Sequence, residues 1–190
     1  MVKFYKKTFI FIILCLILEC ATEKKRTKIV IEKSSQTPPL WVGKEKWEDN
    51  EYIFFVSKYT IYTNPVEGLR KAKQKLIEKI NNEIKKGLKS EFKEKIEEID
   101  YADWIEKIKD KFINGTLNLL DFNNLIPDDT YYEKIKENIV YYNCYVYKAL
   151  SKSAINNKKL EMIDALISEY NKSIDIKKFL KKLKEKYKCR

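Results

Sequence analysis

Cys20 stands one residue, Glu19, behind an uncharged apolar run, Thr8 to Leu18 (TFIFIILCLIL), where a thiol is open to acylation. The other reactive side chains are scattered. Cys144 and Cys189 permit one intramolecular disulfide if the chain reaches an oxidising compartment, and otherwise they are two buried or terminal thiols. Asp128, Asp129 and Glu133 are the nearest candidates, by clustering, for the paired carboxylates that cleave glycosides, which need two acids about 5 to 9 Å apart across a cleft. Acids at a turn also cap backbone or simply face water.

The complete lack of histidine narrows the chemistry further. Triads with an imidazole base, His metal sites and switching near neutral pH are all removed. No Walker loop, Gly-rich dinucleotide fingerprint or clustered Cys motif is present. The residues therefore point to no catalytic group, no cofactor and no metal.

Lys3, Lys6 and Lys7 precede the apolar run, which is the pattern of a signal peptide. Eleven helical residues span about 16 Å, against about 30 Å of hydrocarbon, so a stable transmembrane helix is not expected. Ile17-Leu18-Glu19-Cys20 resembles a lipobox, with Glu19 where Gly, Ala or Ser is usual. The expected organisation is a leader over residues 1–19, a lipidated Cys20 opening a flexible tether over 20–38, and one domain over 39–190. Lys24, Lys25 and Arg26 in the tether either add attraction to an anionic leaflet, about 1 kcal/mol per basic residue, or simply keep the linker solvated.

With 44% apolar and 35% charged residues and only 4 Gly and 4 Pro, the remainder has the composition of a folded, helix-rich protein. The net charge of +11 suggests a polyanionic partner, but only Arg26, Arg70 and Arg190 of the 39 basic residues are arginine. Arginine is the side chain with the planar fork suited to phosphate and guanine. Nucleic acid is therefore not the expected partner.

Several elements must position these side chains. Glu51 to Ser57 reads as a buried strand, preceded by Trp41 and Trp47 as packing anchors. Asn64, Pro65 and Glu67 fit the start of a helix, and Leu69, Ala72, Leu76, Ile77, Ile80, Ile84, Leu88 and Phe92 form its apolar stripe. A second helix is expected over Asp100 to Asn114, with Gly115 as its stop and a short strand over Thr116 to Phe122. Thr130 to Lys136 and Ile139 to Leu150 read as paired strands. In the longer one Val140, Tyr142, Cys144, Val146 and Leu150 share one face, and Tyr141, Asn143, Tyr145 and Tyr147 the other. Two helices, Asn157 to Tyr170 and Ile174 to Tyr187, end the chain. The pattern is α+β, a small antiparallel sheet packed against long amphipathic helices.

The spacing puts Cys144 on a helix-covered face and Cys189 at the end of a covering helix, so a Cys144–Cys189 bridge is expected. Tyr141, Tyr145 and Tyr147 are either a partner surface or are covered by a helix. The lysine-rich last helix either lies on anionic lipid or docks on its own domain.

A lipidated cysteine, a tether, Pro38, Pro39, Trp41 and Val42, the aromatic strand Tyr52 to Val56, a long helix and the segment Tyr145 to Leu150 together resemble the Lpp-twenty-like bacterial outer-membrane lipoproteins, over roughly Cys20 to Ser153. The resemblance implies a non-catalytic α+β domain held at the outer membrane. The expected role is thus structural, or the binding of an envelope protein or glycan. A carboxylate-dependent envelope hydrolase acting on glycan is the alternative.

Overall fold

The tyrosine-rich segment late in the chain becomes the middle of a sheet. In the computed structural model the described residues are 27–96 and 103–188. Among them are five antiparallel strands, β1 (Ile29–Lys33), β2 (Lys46–Glu48), β3 (Tyr52–Ile61), β4 (Asp129–Lys136) and β5 (Val140–Ser151), in the order β1-β4-β5-β3-β2. Four helices join them, α1 (Pro65–Ile96), α2 (Trp104–Leu120), α3 (Lys152–Glu169) and α4 (Ile174–Lys188). The α+β class expected from the pattern is the one observed.

β5 pairs with β3 from Tyr52↔Ser151 to Ile61↔Tyr142, and with β4 from Asp129↔Tyr147 to Lys136↔Val140. Side chains alternate across the pleat. Ile53, Phe55 and Tyr59 with Cys144, Val146 and Leu150 therefore face α1, whereas Phe54, Val56 and Lys58 with Tyr141, Asn143, Tyr145 and Tyr147 face away.

α1 starts where Asn64 Oδ1 accepts the Glu67 N–H at 2.9 Å, one of the amides a helix leaves unpaired in its first turn. Ala72, Leu76, Ile80, Ile84, Leu88 and Phe92 are buried along one stripe, each large side chain contributing about 1.5 to 3 kcal/mol by burial. The early part of the stripe packs on β3 and β5. Its end meets other helices, with Phe92 5.7 Å from Phe112 and 6.3 Å from Phe179. Gly68 permits the approach to the sheet, because a Cβ there would collide with Cys144 Sγ and lie 2.8 Å from Ile61 Cγ2.

Three expectations are corrected. Ile29–Lys33, read as tether, is strand β1. All five residues are exposed, so β1 adds to β4 through its backbone and buries nothing that a hydrophobic pattern would reveal. Because β1 and β2 lie at opposite edges, residues 34–45 must cross about 19 Å of sheet, four strand spacings. Far from being tether up to residue 38, this segment straps the face away from the helices. Finally, α2 runs through Gly115 to Leu120 and ends at Asp121, whose φ of 47° is left-handed, so the expected strand Thr116 to Phe122 is helix and a short 3-10 turn. Gly115 is a point of helix contact: a Cβ there would collide with Met162 of α3.

Candidate functional site

Tyr141, Tyr145 and Tyr147, read as either a partner surface or a helix-covered face, share a face but not an environment. Tyr147 lies in a stack beneath the strap, its ring 5.6 Å from Trp41, 5.9 Å from Trp47 and 6.2 Å from Phe54. Trp41 is further held by its Nε1–H, which donates to Asp129 Oδ2 at 3.0 Å. Trp41 and Trp47 are thus packing anchors, as expected. Tyr145 is buried beside Tyr131, with Lys58 Nζ 5.5 Å from its ring centre. Tyr141 packs edge-on against exposed Tyr62. Among the described residues no helix covers these rings; a strap and neighbouring aromatics do. Burial, then nearby Glu133, raises the Tyr145 hydroxyl above the usual phenol range; burial, then Asp128, does the same for Tyr147.

The acids expected near the turn are held by structural partners. Asp128 accepts from Lys148 Nζ at 2.6 Å and from the Ala149 N–H at 2.7 Å. Asp129 accepts from Trp41 and from its neighbour's amide, Thr130 N–H, at 2.7 Å. Glu133 accepts from Tyr131, whose hydroxyl burial and that bond push up to about 12. These acids tie strand ends, side chains and strap together.

A cleft of about 590 Å³ opens elsewhere, between the β2 edge of the sheet, α1 and the first turn of α3. Ile53, Phe55, Ile84, Leu88 and Ile155 supply apolar lining. Three ion pairs rim it: Lys46–Glu83 at 2.7 Å, Lys152–Glu48 at 3.1 Å and Lys159–Glu91 at 2.6 Å. The Lys46 hydrogen bond holds the Glu83 carboxyl below the usual carboxylate range, so at neutral pH it is an ionised acceptor and no proton donor. Lys159 is the deepest of these charges, 6% exposed, and lies 5.5 Å from the Tyr187 ring. The sequence reading missed this cleft. Its signal was a second stripe on α1, Glu83, Gly87 and Glu91 at intervals of four, beside the apolar one.

Cys144 is buried and in no disulfide among the described residues; its Sγ donates to the Pro65 carbonyl at 3.6 Å, and burial pushes its pKa up to about 11. Its neighbours are at the start of α1. The last turn of α4 packs at the other end, where Lys95 Nζ donates to the Lys186 carbonyl at 3.1 Å. The rise from Gly68 to Lys95 is about 40 Å. Cys189 lies outside the described residues, but it is three residues past Lys186, a reach of at most about 11 Å. The described geometry therefore gives the expected Cys144–Cys189 bridge no support. Cys20 also lies outside the described residues.

The last helix docks on its own domain, burying Ile176, Phe179, Leu180, Leu183 and Tyr187 and leaving most lysines in water. No helix among the described residues is long and apolar enough to cross a membrane. No family model, curated protein or solved structure matches the chain.

Proposed function

We propose that the chain is a lipid-anchored bacterial envelope domain, at the outer membrane, that binds a protein or glycan partner without transforming it. The observation that carries this reading is the position of Cys20, one residue, Glu19, beyond an uncharged run that follows a lysine-bearing start. Only Ala21 to Lys28 separate it from β1, so a lipid at Cys20 holds the domain within about 28 Å of the bilayer surface. The resemblance to the Lpp-twenty-like lipoproteins belongs to the same proposal and rests on the order of sequence elements. A binding role is supported by the rim of the cleft, where carboxylates are matched to lysines and Glu83 is held ionised.

The anchor is tested on protein from its native cells. A mature mass beginning at Cys20 with an acyl increment, partition into the detergent phase, and transfer to the aqueous phase on Cys20→Ser are the expected results. A water-soluble product beginning at another residue overturns the reading.

A further inference from the structure

Among the described residues, the outer edge of β3 beyond Val56 has no strand beside it. β2 pairs with β3 through Lys46↔Phe55, Trp47↔Phe54 and Glu48↔Ile53, with one further bond from the Val56 N–H to the Glu45 carbonyl at 2.9 Å. There the chain turns away at Gly43, whose φ of +90° favours glycine, in a turn closed by Lys44 N–H donating to the Trp41 carbonyl. The N–H and C=O of a strand residue point the same way and alternate with period two. Those of Lys58 and Thr60 therefore face outward along the edge that Val56 shares with Glu45. Among the described residues neither has a backbone partner on that side.

Beside this edge lies a groove of about 630 Å³, between the turn at Gly43, β3 and α1. Lys44, Lys58, Lys75 and Lys79 line it against only Glu45 and Glu78. Lys79 closes the last β2 rung, donating to the carbonyls of Glu45 at 2.9 Å and Val56 at 3.2 Å. Lys44 and Lys58 are steadied over the Trp47 and Tyr145 rings, 4.7 and 5.5 Å from their centres. Lys44, Lys58 and Lys75 are exposed and in no ion pair among the described residues. Ser57, only 4% exposed, lines the same groove with an Oγ that has no hydrogen-bond partner among the described residues.

We propose that this edge takes an extended acidic peptide segment of a partner protein as an added strand. Its backbone bonds to Lys58 and Thr60, and its carboxylates settle among Lys44, Lys58 and Lys75. The unpaired Ser57 hydroxyl serves the polar side chain that enters the groove. The lysines also set the specificity, because an edge rimmed with positive charge repels basic strands and selects acidic ones. This names a partner class for the binding role proposed above and rests on that reading.

The test is fluorescence anisotropy of the full chain in detergent with a labelled peptide of repeated Glu-Glu-Val-Val, which carries carboxylates on both faces of a strand and so meets Lys58 on one and Lys75 on the other. Its comparisons are a Lys and Val peptide and a Glu and Val peptide N-methylated at every second amide. Saturable binding of the first is expected, with a loss of about tenfold or more for each comparison and for the double variant Lys58→Glu, Lys75→Glu. Thr60→Pro removes an outward N–H together with the hydroxyl that donates to Asn143 Oδ1 at 2.8 Å, so it should weaken binding and lower the thermal melt, whereas Thr60→Val, which loses only the hydroxyl, should lower the melt and leave binding near that of wild type. Equal binding of the methylated and unmethylated peptides means ionic adsorption and overturns strand addition. No binding by a chain that melts normally overturns the proposal outright. The mass of Cys20 tests the anchor separately, so a lipidated protein that ignores the peptide sinks this inference alone.

Discussion

The two faces of the sheet are buried by different means. Against α1, Phe55 and Val146 meet Leu76 and Ile80, all at most 1% exposed, in a core of interlocking aliphatic and ring carbons. On the other face Trp41, Trp47, Phe54 and Tyr147 stack at ring separations of 4.9 to 6.2 Å and remain half-buried under a strap with only one short strand at its end. A helix brings a continuous apolar stripe to a sheet. A strap can supply only occasional large rings, so planar stacking and a bond such as Trp41 to Asp129 replace close packing. The helix face should therefore hold the fold and the strap face should yield locally.

The largest effect breaks the helix face. Leu76→Asp places an unpaired carboxylate in a site that is 0% exposed, and should cost more than about 4 kcal/mol and unfold the domain. Lys75→Asp, one position away and exposed, should melt within a few degrees of wild type. Equal melts for the two would mean that α1 does not face the sheet as described.

Trp41→Ala breaks the strap face. Removing its ring from Tyr147 and its N–H from Asp129 should cost about 2 kcal/mol, less than a fully buried tryptophan because Trp41 is half-exposed. Hydrogen exchange should quicken over residues 34–45 while β3 and β5 stay protected. Uniform loss of protection would show that the two faces unfold as one.

The two glycines of α1 sharpen the contrast within the helix. A methyl at Gly68 would collide with Cys144 Sγ and crowd Ile61, so Gly68→Ala should destabilise by about 1 to 2 kcal/mol. At Gly87 an added Cβ meets nothing within 4 Å, and Gly87→Ala should stabilise by about 0.5 to 1 kcal/mol by lowering the entropy lost on helix formation. Chemical denaturation of both variants reads the opposite signs directly.

The same contrast explains what could be read from the sequence. α1 was legible from its cap and stripe, and the β4–β5 pair from its alternation, because each buries one face of a regular element. β1 was not, because an exposed edge strand is held by backbone bonds that no side-chain pattern encodes. Gly115 was misread as a stop, since glycine that ends a helix and glycine that admits a neighbouring helix look alike in one sequence. The tyrosine face was correctly placed, but the rings of the strap and β2 that cover Tyr147 come from a segment a hundred residues or more earlier. The cleft was missed for the same reason: Lys46, Glu83 and Lys159 meet only after folding.

The smallest effect lies at the β2 margin, where the two faces meet. Lys46 of β2 bonds Glu83 of α1 at 2.7 Å, with the side chains 42% and 38% exposed. Water and salt screen such a pair, so Glu83→Gln should cost under about 1 kcal/mol at neutral pH. The bond lowers the Glu83 pKa in the folded protein below the ordinary range of a glutamate carboxyl. A group whose folded pKa is depressed stabilises the fold above its unfolded pKa, and that stabilisation is lost as pH falls through the folded value. The difference between wild type and Glu83→Gln should thus be constant from about pH 6 to 8 and shrink below about pH 4.5 towards zero. It should also narrow as salt is raised. Urea titrations across this range decide: a difference that persists in acid means that Glu83 stabilises the margin by packing, and that the ion pair across it is incidental.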